Sequence, residues 1–298
     1  ELCGEPLSMN GLEPGSLTAN RLEQRTVMLR HSHRFDALSG IGRLASAVNA
    51  MDTQQAKQIL SSDVVDVQSA RFTSLKDLIR EGLAPYLAHL AAAPQTNSQA
   101  PEFQRWAVEL LKQFDRFRVL CALREGPYGV ALLNKEAEIA LNLVGKAAVD
   151  NPWYDGRPVM VTHNDYGLGL MNGDIGIAMR VLDETGRQHL QVAFPRNDGE
   201  QGVRFVLPSR LTAVDTVFAM TVHKSQGSEF EHCVLVLPER INPVLTKELL
   251  YTAITRAKER FTLVEAAAGV FTTAITRRVN RHSGLRDALE GRNVSGRA

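Results

Sequence analysis

Hydrophobic and polar positions fall into two textures along the chain. Before Pro158, short apolar runs take turns with stretches of helical spacing. Residues 26–29 (TVML) form a run of strand type, and Ala37, Leu38, Ile41, Leu44, Ala45 and Val48 then recur at steps that gather apolar side chains on one helix face. The polar stretch 94–101 (PQTNSQAP) carries two prolines and reads as a surface loop. It precedes a second helical face made by Phe103, Trp106, Ala107, Leu110, Leu111, Phe114 and Phe117. Residues 119–123 are continuously apolar, as in strands buried on both faces, and 130–144 returns to helical spacing. Such alternation predicts an α/β layer.

The texture changes at Pro158. Residues 159–162, 176–181, 191–194 and 203–207 are short strand-like runs separated by turn formers such as Gly167, Gly169, Asn172-Gly173 and Asn197-Asp198-Gly199. They predict a small β-barrel. Beyond Leu211 the α/β pattern resumes, with strands at 216–222, 233–237 and 261–264 and a helix at 246–258. The pattern fits one α/β domain interrupted by a β insertion.

Composition narrows the class without naming it. A chain of 298 residues has the length of roughly two domains, and 44% hydrophobic with 22% charged residues is ordinary for a globular protein. A formal net charge of +1 supplies no general attraction to phosphate, so any nucleic-acid binding must use a local basic groove. Cys3, Cys121 and Cys233 are too few and too scattered for a disulfide framework or a metal site. We read a reducing, cytoplasmic setting, no metal held by this chain and no membrane span. The chain starts at Glu1 without a methionine, as a piece of a longer protein would.

Candidate chemistry concentrates in two segments. In AMTVHKSQGSEF (219–230) an apolar run stops in hydroxyl, basic and amide residues. Loops at strand ends are where open α/β sheets bind ligands, and Thr221, His223, Lys224 and Ser225 are donors suited to phosphate. Gly227 would let backbone N–H groups approach an anion. By composition alone, a solvated turn is the commoner explanation of such a segment, since short polar loops often follow strands. In ELLYTAITRAKER (248–260), Leu249, Leu250, Ala253, Ile254 and Ala257 make an apolar helix face with Thr252 and Arg256 along one edge. An arginine so placed can be aimed across a cleft at a transferring phosphoryl group, or can be an ordinary surface arginine flanking a core helix.

Together the segments resemble a known family. TVHKSQGSEF is similar to motif V of superfamily-1 helicases, and YTAITRAKER follows at the right spacing as motif VI. LRHSHRF (29–35) resembles motif IV through Arg34. VLCALREGPYGVALLN (119–134) and WYDGRPVMVTHNDYGLGLMNGDIG (153–176) resemble the RecD branch, superfamily 1B, whose members serve as the exodeoxyribonuclease V alpha subunit. The resemblance runs from Thr26 to Leu289.

It implies a RecA-like second motor domain, the parallel-sheet fold of P-loop NTPases, with a small Src-homology-3-like barrel inserted. The divisions are a linker remnant at 1–25, motor domain at 26–164 and 212–290, the barrel at 165–211 and a tail at 291–298. It implies Arg34 and Arg256 as arginine fingers on the γ-phosphate. Gln226, Gly227 and Glu229 would lie on the nucleotide side, Glu229 toward a ribose hydroxyl. Thr221, His223, Lys224, Ser225, Thr252 and Asn164 would meet single-stranded DNA. The implied activity is ATP-dependent 5′–3′ unwinding within a RecBCD-type exonuclease V serving DNA repair and recombination, with RecB- and RecC-like subunits as partners. ATP with Mg²⁺ would be the cofactor. The GxxxxGK phosphate loop ending in Ser or Thr, and the acidic magnesium motif, are absent from this sequence; Gly145-Lys146-Ala147 has neither the preceding glycine nor the hydroxyl. The Mg²⁺ ligands would lie in a missing amino-terminal motor domain, and the piece alone should be inactive.

Two other classes stay open: a non-catalytic nucleic-acid-binding or assembly module, and a superfamily-1 RNA helicase fragment, because backbone contacts do not read the sugar unless a group meets the 2′-hydroxyl. Arg277, Arg278, Arg281 and Arg286 near the end read as a solvated charged helix or a phosphate surface.

Overall fold

The computed structural model describes residues 38–143, 152–183, 185–196 and 202–279. The strand at 26–29, Arg34, the linker at 1–25, the Gly145-Lys146-Ala147 decoy, Arg281, Arg286 and the tail lie outside the described residues. Two five-stranded sheets organise the rest.

The first sheet is parallel throughout. Its strands are β1 (Val67–Arg71), β2 (Phe117–Cys121), β8 (Ala219–Thr221), β9 (Phe230–Leu237) and β10 (Ala257–Glu265), in spatial order β1-β10-β9-β2-β8. Strand β2, which shares Val119–Cys121 with the apolar run that predicted it, is buried at every position because helices cover both faces. One layer comprises α1 (Gly40–Ala50), α2 (Thr53–Ser61), α6 (Lys247–Ile254) and α7 (Val270–Ile275); the other comprises α3 (Leu75–Ala91), α4 (Pro101–Asp115) and α5 (Val130–Ala140). On α4 the predicted face is the buried one, with Phe103, Trp106, Ala107, Leu110, Leu111 and Phe114 entering the core; on α1 Ile41, Leu44, Ala45 and Val48 are buried, but Leu38, predicted on that face, precedes the helix and is 84% exposed. Helix α1 starts where Ser39 accepts from Gly42 N at 3.0 Å and the Asp66 carboxylate takes the N–H groups of Gly40 and Ile41.

The second sheet is antiparallel, ordered β6-β5-β4-β3-β7 from β3 (Pro158–Val161), β4 (Ile175–Leu182), β5 (Gln188–Pro195), β6 (Val203–Val206) and β7 (Val214–Thr216). Both of its faces carry apolar side chains. Val159, Val161, Ala178, Val192, Phe194 and Val206 make a small core of their own, while Met160, Ile177, Met179, Val181 and Ala193 face the main core. Period-two alternation in a strand buried on both faces gives an apolar run with no polar phase. Gly176 is required by close approach, since a Cβ there would stand 2.6 Å from the Phe194 ring.

The predicted β insertion is present as this antiparallel sheet, with β6 and β7 at its edges among the described residues. Two expectations are corrected. The ladder of the insertion reaches beyond 165–211, because β3 and β7 pair with each other, Val159 opposite Thr216. The single strand predicted at 216–222 is two strands in two sheets: the chain leaves β7 at Thr216, passes through buried Val217 and Phe218, and joins the parallel sheet at Ala219. An unbroken apolar run does not show where a strand changes partners.

His232 on β9 gives the fold a pH dependence. Burial and the nearby Arg260 charge lower its pKa to about 4, and its Nε2 lies 2.8 Å from the Thr262 hydroxyl. The unfolded chain therefore takes up a proton near pH 6.5 that the folded chain refuses until about pH 4. Stability is full above pH 6.5 and falls as the pH drops through this window, by about 2–3 kcal/mol at most from this group. We expect His232→Gln to flatten the acid limb of a urea-unfolding series between pH 6.5 and 4 relative to the parent. Parallel limbs would assign the acid sensitivity to other groups.

Candidate nucleotide and nucleic-acid interface

Residues 222–229 form a crossing segment from the carboxyl end of edge strand β8 to the amino end of central strand β9. Thr221 pairs with Cys121, which pairs with Val236, six residues beyond the start of β9 at Phe230; at ~3.3 Å per residue the segment descends about 20 Å. It does so in successive turns, with Ser225 N bonded to Thr221 O at 3.2 Å, Gln226 N to His223 O at 3.3 Å and Ser228 N to Ser225 O at 3.0 Å. Gly227, at φ +92°, supplies the left-handed residue that ends the run.

The upper end holds Thr221, His223 and Lys224. It is fixed from beneath by Asn134 of α5, whose buried amide donates to Ala219 O at 3.1 Å and accepts from Ala219 N at 2.9 Å. His223 and Lys224 are exposed. The Lys224 ammonium donates to Asn172 Oδ1 at 2.9 Å, and Asn172 N donates to Asn164 Oδ1 at 2.8 Å. The structure thus joins Asn164 to the Lys224 end across two sheets, a link mediated by Asn172, which the sequence did not single out. A cleft of about 280 Å³ opens here, lined by Arg124, Thr162, His163, Thr221 and Lys224. Ser225 is corrected: it is fully buried, and its hydroxyl donates to Val222 O at 2.8 Å, so it shapes the turn rather than facing a ligand.

At the lower end, Gln226, Gly227 and Glu229 are exposed beside the start of β9. The Glu229 carboxylate lies 3.4 Å from the Lys258 ammonium. Arg256 meets this end from the turn that leads into β10. It is 4% exposed, with Nη1 donating to Ser228 O at 2.9 Å and Nε to Thr252 O at 3.2 Å. The helix predicted through Lys258 stops at Ile254; Thr255 and Arg256 form a turn, and Ala257 pairs with Phe230. Phe230 N donates to Arg256 O at 2.8 Å, so β-pairing claims the backbone that helical spacing had suggested. The Thr252 hydroxyl donates to Glu248 O at 2.7 Å, and Thr252 lines a second cleft, of about 410 Å³, with His223, Gln226, Val244, Arg278 and Val279. Arg278 is a further cation that the sequence placed only in a terminal charged stretch.

Burial pushes the Cys121 thiol up to about 12 and the Cys233 thiol higher still. Neither is a thiolate at neutral pH. Among the described residues no three His, Cys, Asp or Glu side chains cluster as metal ligands, and no helix is long and apolar enough to cross a membrane.

Residues 216–264 match the UvrD-like helicase C-terminal domain family. The RecBCD enzyme subunit RecD of Mycolicibacterium smegmatis is 34% identical, aligned over 98% of this chain and 50% of its own length. The RecBCD enzyme subunit RecD of Haemophilus influenzae is 36% identical, over 94% of this chain and 43% of its own. The chain spans about half the length of the curated relatives it matches. A solved structure of Pif1 helicases at forked double-stranded DNA aligns over 88% of this chain and 53% of its own, with 16% identity and a TM-score of 0.36.

Proposed function

The chain is a RecD-like superfamily-1 helicase C-terminal region, and from that premise we propose that it supplies the second motor domain of an ATP-dependent 5′–3′ DNA helicase within a RecBCD-type exonuclease V. The observation that carries this reading is the crossing segment, which ties an exposed basic end to an end gripped by Arg256. A motor needs such a link, because hydrolysis at one place must shift the grip on the strand at another.

In this reading ATP binds in the cleft between this domain and an amino-terminal RecA-like domain. Arg256, aimed by two backbone carbonyls, and Arg34 approach the γ-phosphate. Gln226 and Gly227 border the nucleotide, and Glu229 accepts from a ribose hydroxyl when it leaves Lys258. Thr221, His223, Lys224, Asn164 and Thr252 meet the sugar–phosphate backbone of single-stranded DNA. Magnesium coordination falls to the other domain, since no acidic magnesium motif accompanies these residues in the sequence. RecB- and RecC-like subunits are the proposed partners.

The chain by itself has no phosphate cradle, so we expect no DNA-stimulated ATP hydrolysis from it alone. Hydrolysis should appear when a separately produced amino-terminal motor domain is added. Turnover by the chain alone that survives repurification and vanishes in Arg256→Ala would overturn the division of labour.

A further inference from the structure

The loop between β3 and β4 carries an aromatic ring that the fold does not use. Tyr166 is 78% exposed. Its loop is nevertheless tightly bonded: Asp165 and Leu170 exchange backbone hydrogen bonds at 2.8 and 2.9 Å, the Asp165 carboxylate accepts from Leu168 N at 2.9 Å, and Gly173 N donates to Val161 O at 2.8 Å. The ring itself is oriented by Asn164 Nδ2, 3.2 Å from the phenol oxygen. Asn164 also accepts from Asn172 N, and Asn172 receives the Lys224 ammonium. The ring and the cation therefore belong to one hydrogen-bonded array.

Arg124 stands on the same cleft as Lys224, at the end of β2 in the loop leading to α5. It is exposed, and its guanidinium makes no hydrogen bond or ion pair among the described residues. Around Tyr166 stand Asn164, Asp165, Gly167 and Gly169; Leu168 and Leu170 of the same loop pack into the small core of the antiparallel sheet, which leaves Met171, 45% exposed, as the exposed large apolar companion on the loop. A protein partner would call for a contiguous apolar patch. A nucleobase needs only a π-face, with cations nearby for the backbone.

We propose that Tyr166 is a stacking platform for one base of single-stranded nucleic acid whose adjoining phosphates are held by Lys224 and Arg124. The proposal rests on the single-strand reading of the Lys224 end and adds to it a nucleotide subsite built by the 162–174 and 124–129 loops. The subsite reads no sequence, because every base offers a face to stack.

The test measures affinity of the full chain for oligothymidylate and for an abasic sugar–phosphate strand of equal length, by fluorescence anisotropy across a salt series. Tyr166→Ala should weaken oligothymidylate binding roughly 5- to 150-fold, about 1–3 kcal/mol, without changing the salt slope, and should leave the abasic strand unaffected. Tyr166→Phe and Tyr166→Trp should bind as the parent. Arg124→Gln should reduce the slope by about 0.7 on both strands, as should Lys224→Ala. If Lys224→Ala weakens binding while Tyr166→Ala does not, the strand track stands and the subsite falls. Loss in Tyr166→Phe equal to that in Tyr166→Ala would make the hydroxyl the contact and reject stacking. An unchanged slope in Arg124→Gln removes Arg124 from the subsite, and indifference of all three positions rejects the subsite and the track together. The thermal midpoint, which an exposed side chain should barely move, separates these outcomes from misfolding.

Discussion

Arg118→Ala is expected to lower stability by about 2–5 kcal/mol, through the cavity it opens and the buried carbonyl it orphans, a large part of the ~5–15 kcal/mol that holds a domain together. Arg118 lies on β2, between β9 and β8, and is fully buried. Its Nη1 donates to Val217 O at 2.7 Å and its Nη2 to Asp115 Oδ1 at 2.9 Å. The guanidinium lies 4.1 Å from the Phe114 ring centroid and 5.1 Å from that of Phe230. Burial draws its pKa below the usual arginine value while Asp115 pulls the other way. Alanine would leave Val217 O without this donor and open a cavity between the two rings. Val217 is the residue at which the chain passes from one sheet to the other, so the damage should reach Thr221 and Lys224. Arg118→Met is the informative companion. Its side chain can fill the space beneath the rings, and the native Nε is itself buried without an acceptor, so methionine should cost only about 1–3 kcal/mol for the orphaned carbonyl. Urea midpoints measure both. An alanine variant as stable as the methionine one would mean that neither the cavity nor the ring contacts matter.

What the sequence made legible follows from where periodicity has a single cause. Helix α4 and strand β2 each bury one continuous set of residues, and their spacing shows it. The 214–221 region was misread because Val217, Phe218, Ala219 and Met220 are all buried, yet the ladder partner changes among them. Arg256 was placed on a helix because its spacing from Thr252 is helical. The residues do touch, through Arg256 Nε and Thr252 O, but across a helix end. Ser225 looked like a ligand donor because it is a hydroxyl in a polar loop at a strand end; only the turn geometry turns its hydroxyl inward. Asn134 could have been noticed as a lone amide on an otherwise apolar face of α5. Asn172 could not, since its link to Lys224 joins residues far apart in the chain.

On the proposed function, Arg256→Ala in the intact protein is expected to slow DNA-stimulated ATP hydrolysis by ~10³ or more while leaving single-strand affinity close to normal, since the charge it would neutralise develops mainly in the transition state. The structure gives the alternative a definite form. A guanidinium that is 4% exposed and donates to Ser228 O and Thr252 O could serve only to fasten the crossing segment. Its removal would then cost stability, on the order of 1–3 kcal/mol for the Ser228 carbonyl that loses this donor, and strand binding would suffer along with turnover because Ser228 and Lys224 share one segment. A finger predicts a split instead, with turnover lost and binding kept. Lysine sharpens the contrast: it can reach a carbonyl, so Arg256→Lys should restore much of a fastening role, but its point charge cannot reproduce the guanidinium fork on a phosphoryl group and should leave turnover low. Steady-state ATPase, salt-dependent strand affinity and the thermal midpoint, measured on both variants, resolve the two. Near-normal turnover in Arg256→Ala would reject this residue as a finger, and parallel losses in turnover and affinity that lysine repairs would reduce it to a fastener of the crossing segment.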